Sequence, residues 1–252
     1  MTPELTRALS VKLLALADDE YILGHRDSEW TGHAPILEED IAFANIAQDE
    51  IGHAILWHNL LKDLTGGDPD QLVFFRDAAA YRNALICELP KGDWAFTMMR
   101  QYLFDAAEFA RLTETVNSQY KSIAEVSAKI RPEEMYHYRH TSNWVKRLGQ
   151  GTQESHRRMQ AALGTLWPYG LQLFVPIPGE DELIAANIVP DPRKLRAAWE
   201  EMVRPWLVGA GLAIPPMAGP AASSREQHTD HLTTLLTEMQ EVARLESPEV
   251  KW

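Results

Sequence analysis

The chain has 252 residues, 45% hydrophobic and 24% charged, and a formal net charge of −12. That length can bury a large apolar core, as one domain or as one with a small appendage, while the acidic balance without a basic stripe excludes nucleic acid as the expected partner. A lone cysteine, Cys87, excludes a disulfide framework and a thiolate zinc cluster and suits a reducing cytoplasm.

The first residues, MTPELTRALS, carry neither the basic nor the apolar region of a secretory leader. No run reaches the roughly 18–20 apolar residues of a membrane span. The expected location is therefore the cytoplasm, with no membrane partner. Thr2 as N-cap, Pro3 at the first helical position and Glu4 behind it announce a first helix. Leu9, Leu13, Leu16 and Leu23 carry it to about Arg26. The stretch DSEWTGHAP, from Asp27 to Pro35, reads as a loop. A second helix is expected from near Ile36, with Glu38, Glu39 and Asp40 in its first turn, to Gly66–Gly67. Its stripe of Phe43, Ile46, Glu50, His53, Trp57 and Leu60 embeds a charged pair in an apolar face. Burying that pair without partners would be costly.

Residues 68–92 form a long connection, with a short helix expected through Ala78–Leu85. A third helix is expected over about 93–117, with Trp94, Met98, Tyr102, Asp105, Phe109 and Leu112 on one face. A fourth runs over about 119–148, with Ile130, Glu134, His137 and Trp144 on one face. Pro132 falls inside it and is expected to kink it two residues before Glu134. Helices are then expected near 152–173, 180–187, 192–207 and 226–245, the last preceded by a Gly/Pro-rich stretch over 208–224. Without a strand or hairpin signal, the chain reads as all-α.

Glu50–His53 and Glu134–His137 are two copies of Glu-x-x-His, each with an acid upstream: Asp19 lies 31 residues before Glu50, and Asp105 lies 29 before Glu134. Residues three apart on a helix point the same way, so each pair can offer a carboxylate and an imidazole to one metal. A carboxylate from each of two helices and a Glu-x-x-His from each of two others is the ligand set of ferritin-like di-iron and di-manganese bundles. Glu20 competes with Asp19, and Glu108 with Asp105, for the ligand positions; Asp18 is expected to be solvated. The candidate metal residues are Asp19, Glu50, His53, Asp105, Glu134 and His137, with Glu20 and Glu108 as alternates. Carboxylate and imidazole ligands suit a di-iron centre or another divalent metal, and each imidazole needs a hydrogen-bond partner on its other nitrogen. No residue stands out as catalytic in its own right, and no basic cradle for a CoA phosphate is evident.

The remaining residues take plainer readings. His25, His33 and His58 are read as polar contacts near helix ends, and His228 and His231 as structural or partner-facing. Tryptophans and methionines at helical spacing read as core, whereas Trp30 and Trp252 read as interface residues.

Three stretches carry a closer resemblance: LADDEYILGHRDSEWTGHAPILEEDIAFANIAQDEIGHA, RQYLFDAAEFARL and EEMYHYRHTSNWVKRLGQGTQESHRRMQ, joined by DPRKLRAAWEEMV and HTDHLTTLLTEMQ. From about residue 10 onward, and least over 65–92 and 208–224, the chain resembles the C-type subunits (PaaC family) of the bacterial ring 1,2-phenylacetyl-CoA epoxidases. The resemblance implies a ferritin-like bundle that pairs with a homologous A-type subunit. That partner holds the working di-iron centre and epoxidises the ring with oxygen and electrons from a reductase. The resemblance further implies a structural role for the C-type chain, some members of which have lost second-helix ligands that this chain retains as Glu50 and His53. By the same resemblance Asp19 and Asp105 rank above Glu20 and Glu108.

The expected architecture is one ferritin-like domain over residues 1–252, with a four-helix core in 1–150 and additional C-terminal helices in 151–252 packed on it. The expected role is structural and assembly subunit to the A-type partner, with a homodimer when alone. The alternative is a di-iron subunit or stand-alone oxidase with its own functional site. An iron-storage protein fits less well, because the long C-terminal extension does not suit a compact storage shell.

Overall fold

The computed structural model describes residues 1–216 and 219–247. Among them every regular element is helical, in agreement with the all-α reading, and no helix is long and apolar enough to cross a membrane. Helix α1 (Pro3–Ser28) starts as the sequence predicts, with the Thr2 hydroxyl accepting the Leu5 N–H at 3.3 Å. It runs past Arg26 because its last residues are anchored. The Arg26 guanidinium donates to the Glu88 carbonyl at 2.9 Å, and Asp27 accepts from Arg100 at 2.9 Å. Helix α2 (Leu37–Thr65) ends at Gly66, whose φ of +75° lets its N–H reach the Lys62 carbonyl at 2.7 Å.

The connection after α2 breaks into α3 (Pro69–Phe74), a 3-10 turn at Ala78–Ala80 and α4 (Leu85–Glu88), rather than one helix through Ala78–Leu85. The reason lies in its backbone donors. The Arg82 N–H goes to Asp18 at 2.8 Å, the Ala84 N–H to Asp19 at 2.5 Å, and the Leu85 N–H to Gln172 at 2.8 Å. Donors held by distant side chains cannot close helical turns. Asp18, expected in solvent, is instead buried and paired with Arg76.

Helices α5 (Trp94–Thr115) and α6 (Lys121–Gly149) follow, the latter continuing through Pro132. They pack against each other as α1 packs against α2, and α2 meets α6 across the bundle. Helices α7 (Gln153–Gln172) and α9 (Pro192–Gly209) lie against α5 and α6, and α8 (Glu180–Ala185) against α1. One apolar cluster joins Leu103, Phe104 and Trp144 to Trp167, Leu171 and Trp199. Trp199 is completely buried, with its indole N–H donating to the Leu103 carbonyl at 3.0 Å. Surrounded in this way, α5 is buried over nearly its whole circumference.

The last helix, α10 (Asp230–Met239), starts later than expected. The residues before it are straps. Arg225 donates to both oxygens of Asp19, at 2.7 and 2.9 Å, and the Thr229 N–H donates to Glu88 at 2.5 Å. His228 Nδ1 lies 2.9 Å from Glu88 Oε2, a structural role of the kind expected for it. Trp30 belongs to the interior and not to an interface. It is 8% exposed, its indole N–H donates to Thr97 at 2.9 Å, and its ring meets Trp94 edge-on at 5.0 Å. Trp252 lies outside the described residues.

Gly24 sets the spacing of α1 and α2. A Cβ there would stand 3.0 Å from Glu50 Cβ and 3.1 Å from the Ala47 carbonyl oxygen. Gly24→Ala is therefore expected to cost about 1–3 kcal/mol of stability through overpacking, read by urea denaturation. Arg225→Ala leaves Asp19 buried without its cation and is expected to cost about 3–5 kcal/mol. A melting temperature within a degree of the parent would refute that account.

Candidate metal centre

The apolar stripes of α1, α2, α5 and α6 carry their acids and histidines inward together. Glu20, Glu50, His53, Asp105, Glu134 and His137 are all at most 2% exposed. Ligating atoms of Glu20, Glu50, His53 and Glu134 lie within 4.8 Å of one another. His53 Nδ1 stands 3.3 Å from Glu134 Oε1 and 3.5 Å from Glu20 Oε2. His137 Nδ1 stands 3.3 Å from Glu134 Oε1 and 3.5 Å from Glu50 Oε1. The two imidazole rings are 5.9 Å apart between centroids. Glu134 thus sits between both histidines, as the two Glu-x-x-His motifs require.

The helical partners beyond this cluster make the histidines directional. His53 Nε2 donates to Glu133 at 2.8 Å, and His137 Nε2 approaches Asp49 at 3.2 Å. Each outer carboxylate comes from the opposite motif and immediately precedes its glutamate. A carboxylate can only accept, so Nε2 of each ring carries a proton and Nδ1 faces the cluster. Sequence reasoning missed Asp49 and Glu133. The signal was present, since the echo extends one residue to acid-Glu-x-x-His in both copies.

Of the adjacent acids on α1, the structure turns Glu20 into the cluster and Asp19 away from it. Asp19 is held by Arg225 and the Ala84 N–H; burial raises its pKa even against that cation. One helical position is about 100° of rotation, enough to give the two acids different neighbourhoods. On α5, Asp105 faces inward, but its oxygens accept from Gln101 at 2.9 Å and Thr141 at 2.7 Å. Glu108 is clasped by Arg111 through both oxygens. Burial raises the Glu108 carboxyl to about 7 despite that partner.

The electrostatics follow from packing anions together out of water. Burial, then the Glu134 charge, raises the pKa of Glu50 well above the usual carboxylate range. Burial also opposes ionisation of Glu134, yet the two imidazoles beside it hold its carboxyl down at about 2. Burial disfavours a charged His53, but contacts with Glu134 and Glu20 outweigh it and lift the imidazole to about 11. The cluster therefore draws in positive charge. Both oxygens of Glu20 and Glu134, one of Glu50, and Nδ1 of both histidines have no hydrogen-bond partner. Buried polar atoms are seldom left so, and these converge on one volume. Carboxylate oxygens and imidazole nitrogens are the donor atoms that iron and manganese take, so the residues fit a divalent metal.

The other histidines take no part in this convergence. His58 is buried, and burial lowers its pKa towards the neutral ring. His33 Nδ1 approaches only the Thr31 carbonyl, at 3.1 Å, on the surface.

Comparison with known proteins agrees with the geometry. A family model described as "Phenylacetic acid catabolic protein" matches residues 1–252. The C-type subunit of 1,2-phenylacetyl-CoA epoxidase from Escherichia coli (strain K12) is 39% identical over 239 residues, which are 94% of this chain and 96% of that relative. A buried Glu/His cluster in a four-helix, ferritin-like core, with whole-length similarity on both measures, places this chain in the phenylacetic acid catabolic protein family.

Proposed function

We propose that this chain is the structural and assembly subunit of a multicomponent ring 1,2-phenylacetyl-CoA epoxidase, acting in aerobic phenylacetate catabolism in the cytoplasm. It supports a homologous A-type subunit that performs the oxidation. The observation that carries this reading is the end-to-end similarity to the C-type subunit of the Escherichia coli enzyme. Two features of the molecule support it. The α5 acids, Asp105 and Glu108, are engaged by protein donors, Glu108 by the Arg111 cation, which favours a supporting role over a working di-metal centre. In addition, α2 presents Leu37, Ile41 and Ile55, and α6 presents Met135 and Tyr136, to solvent, each at least 36% exposed. Apolar side chains of that size on adjacent helices suit helix-on-helix association. The same association would pair two copies when the partner is absent. The apolar core shared by α5, α6, α7 and α9 supports treating the chain as a single domain.

Co-expression with the A-type subunit from the same organism is expected to yield a stable complex by size-exclusion chromatography. Ile41→Asp with Ile55→Asp is expected to weaken it at least about tenfold. Failure of the parent protein to associate with that partner at micromolar concentration would sink this reading.

A second reading concerns the cluster alone: Glu20, Glu50, His53 and Glu134, with His137 adjoining, bind a divalent metal such as iron. The convergent unpartnered atoms favour it. When bound, such a metal would neutralise the buried carboxylates and supply Lewis-acid or redox chemistry at any position left open. The protein's residues contribute the rest: Glu133 and Asp49 orient the imidazoles, and the apolar stripes exclude water. Chelator-treated protein is expected to gain about 3–4 kcal/mol of stability when Mn²⁺ is supplied at a hundred to a thousand times its Kd. Glu134→Gln is expected to abolish the gain, whereas Asp19→Asn is expected to lower the baseline stability and leave the gain intact. Differential scanning calorimetry reads both.

A further inference from the structure

The two halves of the cluster are not equivalent in how their carboxylates are hydrogen-bonded. On the α1 side, both oxygens of Glu20 are buried without a hydrogen-bond donor, and His53 Nδ1 lies 3.5 Å away, also unpartnered. On the α5 side, the inward acid is Asp105, and both of its oxygens already accept hydrogen bonds, one from Thr141 and one from Gln101. The next acid along α5, Glu108, is bound by Arg111. Both α5 acids are thus already engaged by protein donors, whereas Glu20 on α1 is not.

Gln101 makes the asymmetry stronger. It is completely buried, and its amide nitrogen donates to Glu50 Oε1 at 2.8 Å and to Asp105 Oδ1 at 2.9 Å. The NH₂ end of the amide faces both acids, and its Oε1 has no hydrogen-bond partner. The amide nitrogen therefore stands between Glu50 Oε1 and Asp105 Oδ1, in the space a cation shared by those two groups would occupy, and its hydrogens carry partial positive charge. Glu50 Oε1, 3.5 Å from His137 Nδ1, thereby accepts from Gln101, while Glu50 Oε2 has no hydrogen-bond partner.

We propose that the cluster is a one-ion site: a single divalent cation of the Mn²⁺ or Fe²⁺ class held by Glu20, Glu50, His53 and Glu134, with the Gln101 amide in place of a second ion. Three carboxylates and one imidazole form the hard, oxygen-rich set that such ions take. This inference rests on the metal-binding reading above and adds its stoichiometry and the residue that sets it. Gln101 is a positioning residue here; it excludes an ion and ligates none.

The test is Mn²⁺ binding to the chelator-treated full chain, by equilibrium dialysis with elemental analysis and by electron paramagnetic resonance. One tight ion per chain is expected, with the six-line signal of an isolated Mn²⁺. Glu20→Gln is expected to weaken binding about tenfold or more and Asp105→Asn by less than about threefold, with circular dichroism showing each variant folded. Gln101→Glu, which replaces the donor with a carboxylate, is expected to raise the stoichiometry to two ions with an exchange-coupled signal. Two coupled ions in the parent protein would overturn the one-ion assignment and leave the metal-binding reading standing. No Mn²⁺ bound at millimolar concentration would overturn both. A Gln101→Glu protein that stays at one ion would overturn the role given to Gln101.

Discussion

Buried carboxylate charge is the constraint on which the structure depends. The core holds Asp18, Asp19, Glu20, Asp27, Glu50, Glu88, Asp105, Glu108, Glu134 and Glu180, and an anion removed from water must be paired or protonated. The fold sorts these acids into two groups. Asp18 has Arg76, Asp19 has Arg225, Asp27 has Arg100, Glu108 has Arg111, Glu180 has Lys12, and Glu88 has His228. Among the described residues Glu20, Glu50, Asp105 and Glu134 form no ion pair with arginine or lysine, and they surround two imidazoles. The candidate centre is the set of acids whose nearest partners are the two histidines.

The paired acids explain much of the architecture outside the four-helix core. The connection between α2 and α5 cannot continue as helix, because Asp18 and Asp19 take its backbone donors. The segment before α10 is drawn inward by the same demand, through Arg225 to Asp19 and through Thr229 and His228 to Glu88. Elements remote in sequence therefore depend on charges carried by α1 and α4. The remaining acids, Glu20, Glu50, Asp105 and Glu134, gather with His53 and His137 in the four-helix core.

Much of this was legible in the chain. Leu9, Leu13, Leu16 and Leu23 on α1, and Phe43, Ile46 and Trp57 on α2, are buried as their helical spacing predicts. Glu50, His53, Glu134 and His137 meet as two Glu-x-x-His motifs should, since residues three apart share a helix face whatever the tertiary context. The choice between Asp19 and Glu20 was not legible. Both are acidic and both are buried, and what separates them is Arg225, far along the chain in a segment with no regular structure of its own. The burial of Trp30 was hidden for a similar reason. Its loop looks polar in sequence, but its indole N–H finds Thr97 and its ring finds Trp94, both on a later part of the chain.

The sequence by itself determined the all-α class, the order of the four core helices and the inward placement of two carboxylate–imidazole pairs. Each of these follows from local periodicity, and periodicity acts within a single helix. Only the tertiary structure decided which acids are neutralised and which are left to converge. That sorting depends on Arg225, Arg111, Gln101 and Thr141 arriving from other elements or other turns at hydrogen-bond distance. In a low-dielectric interior, electrostatic pairing is set by distance in space and not by separation along the chain.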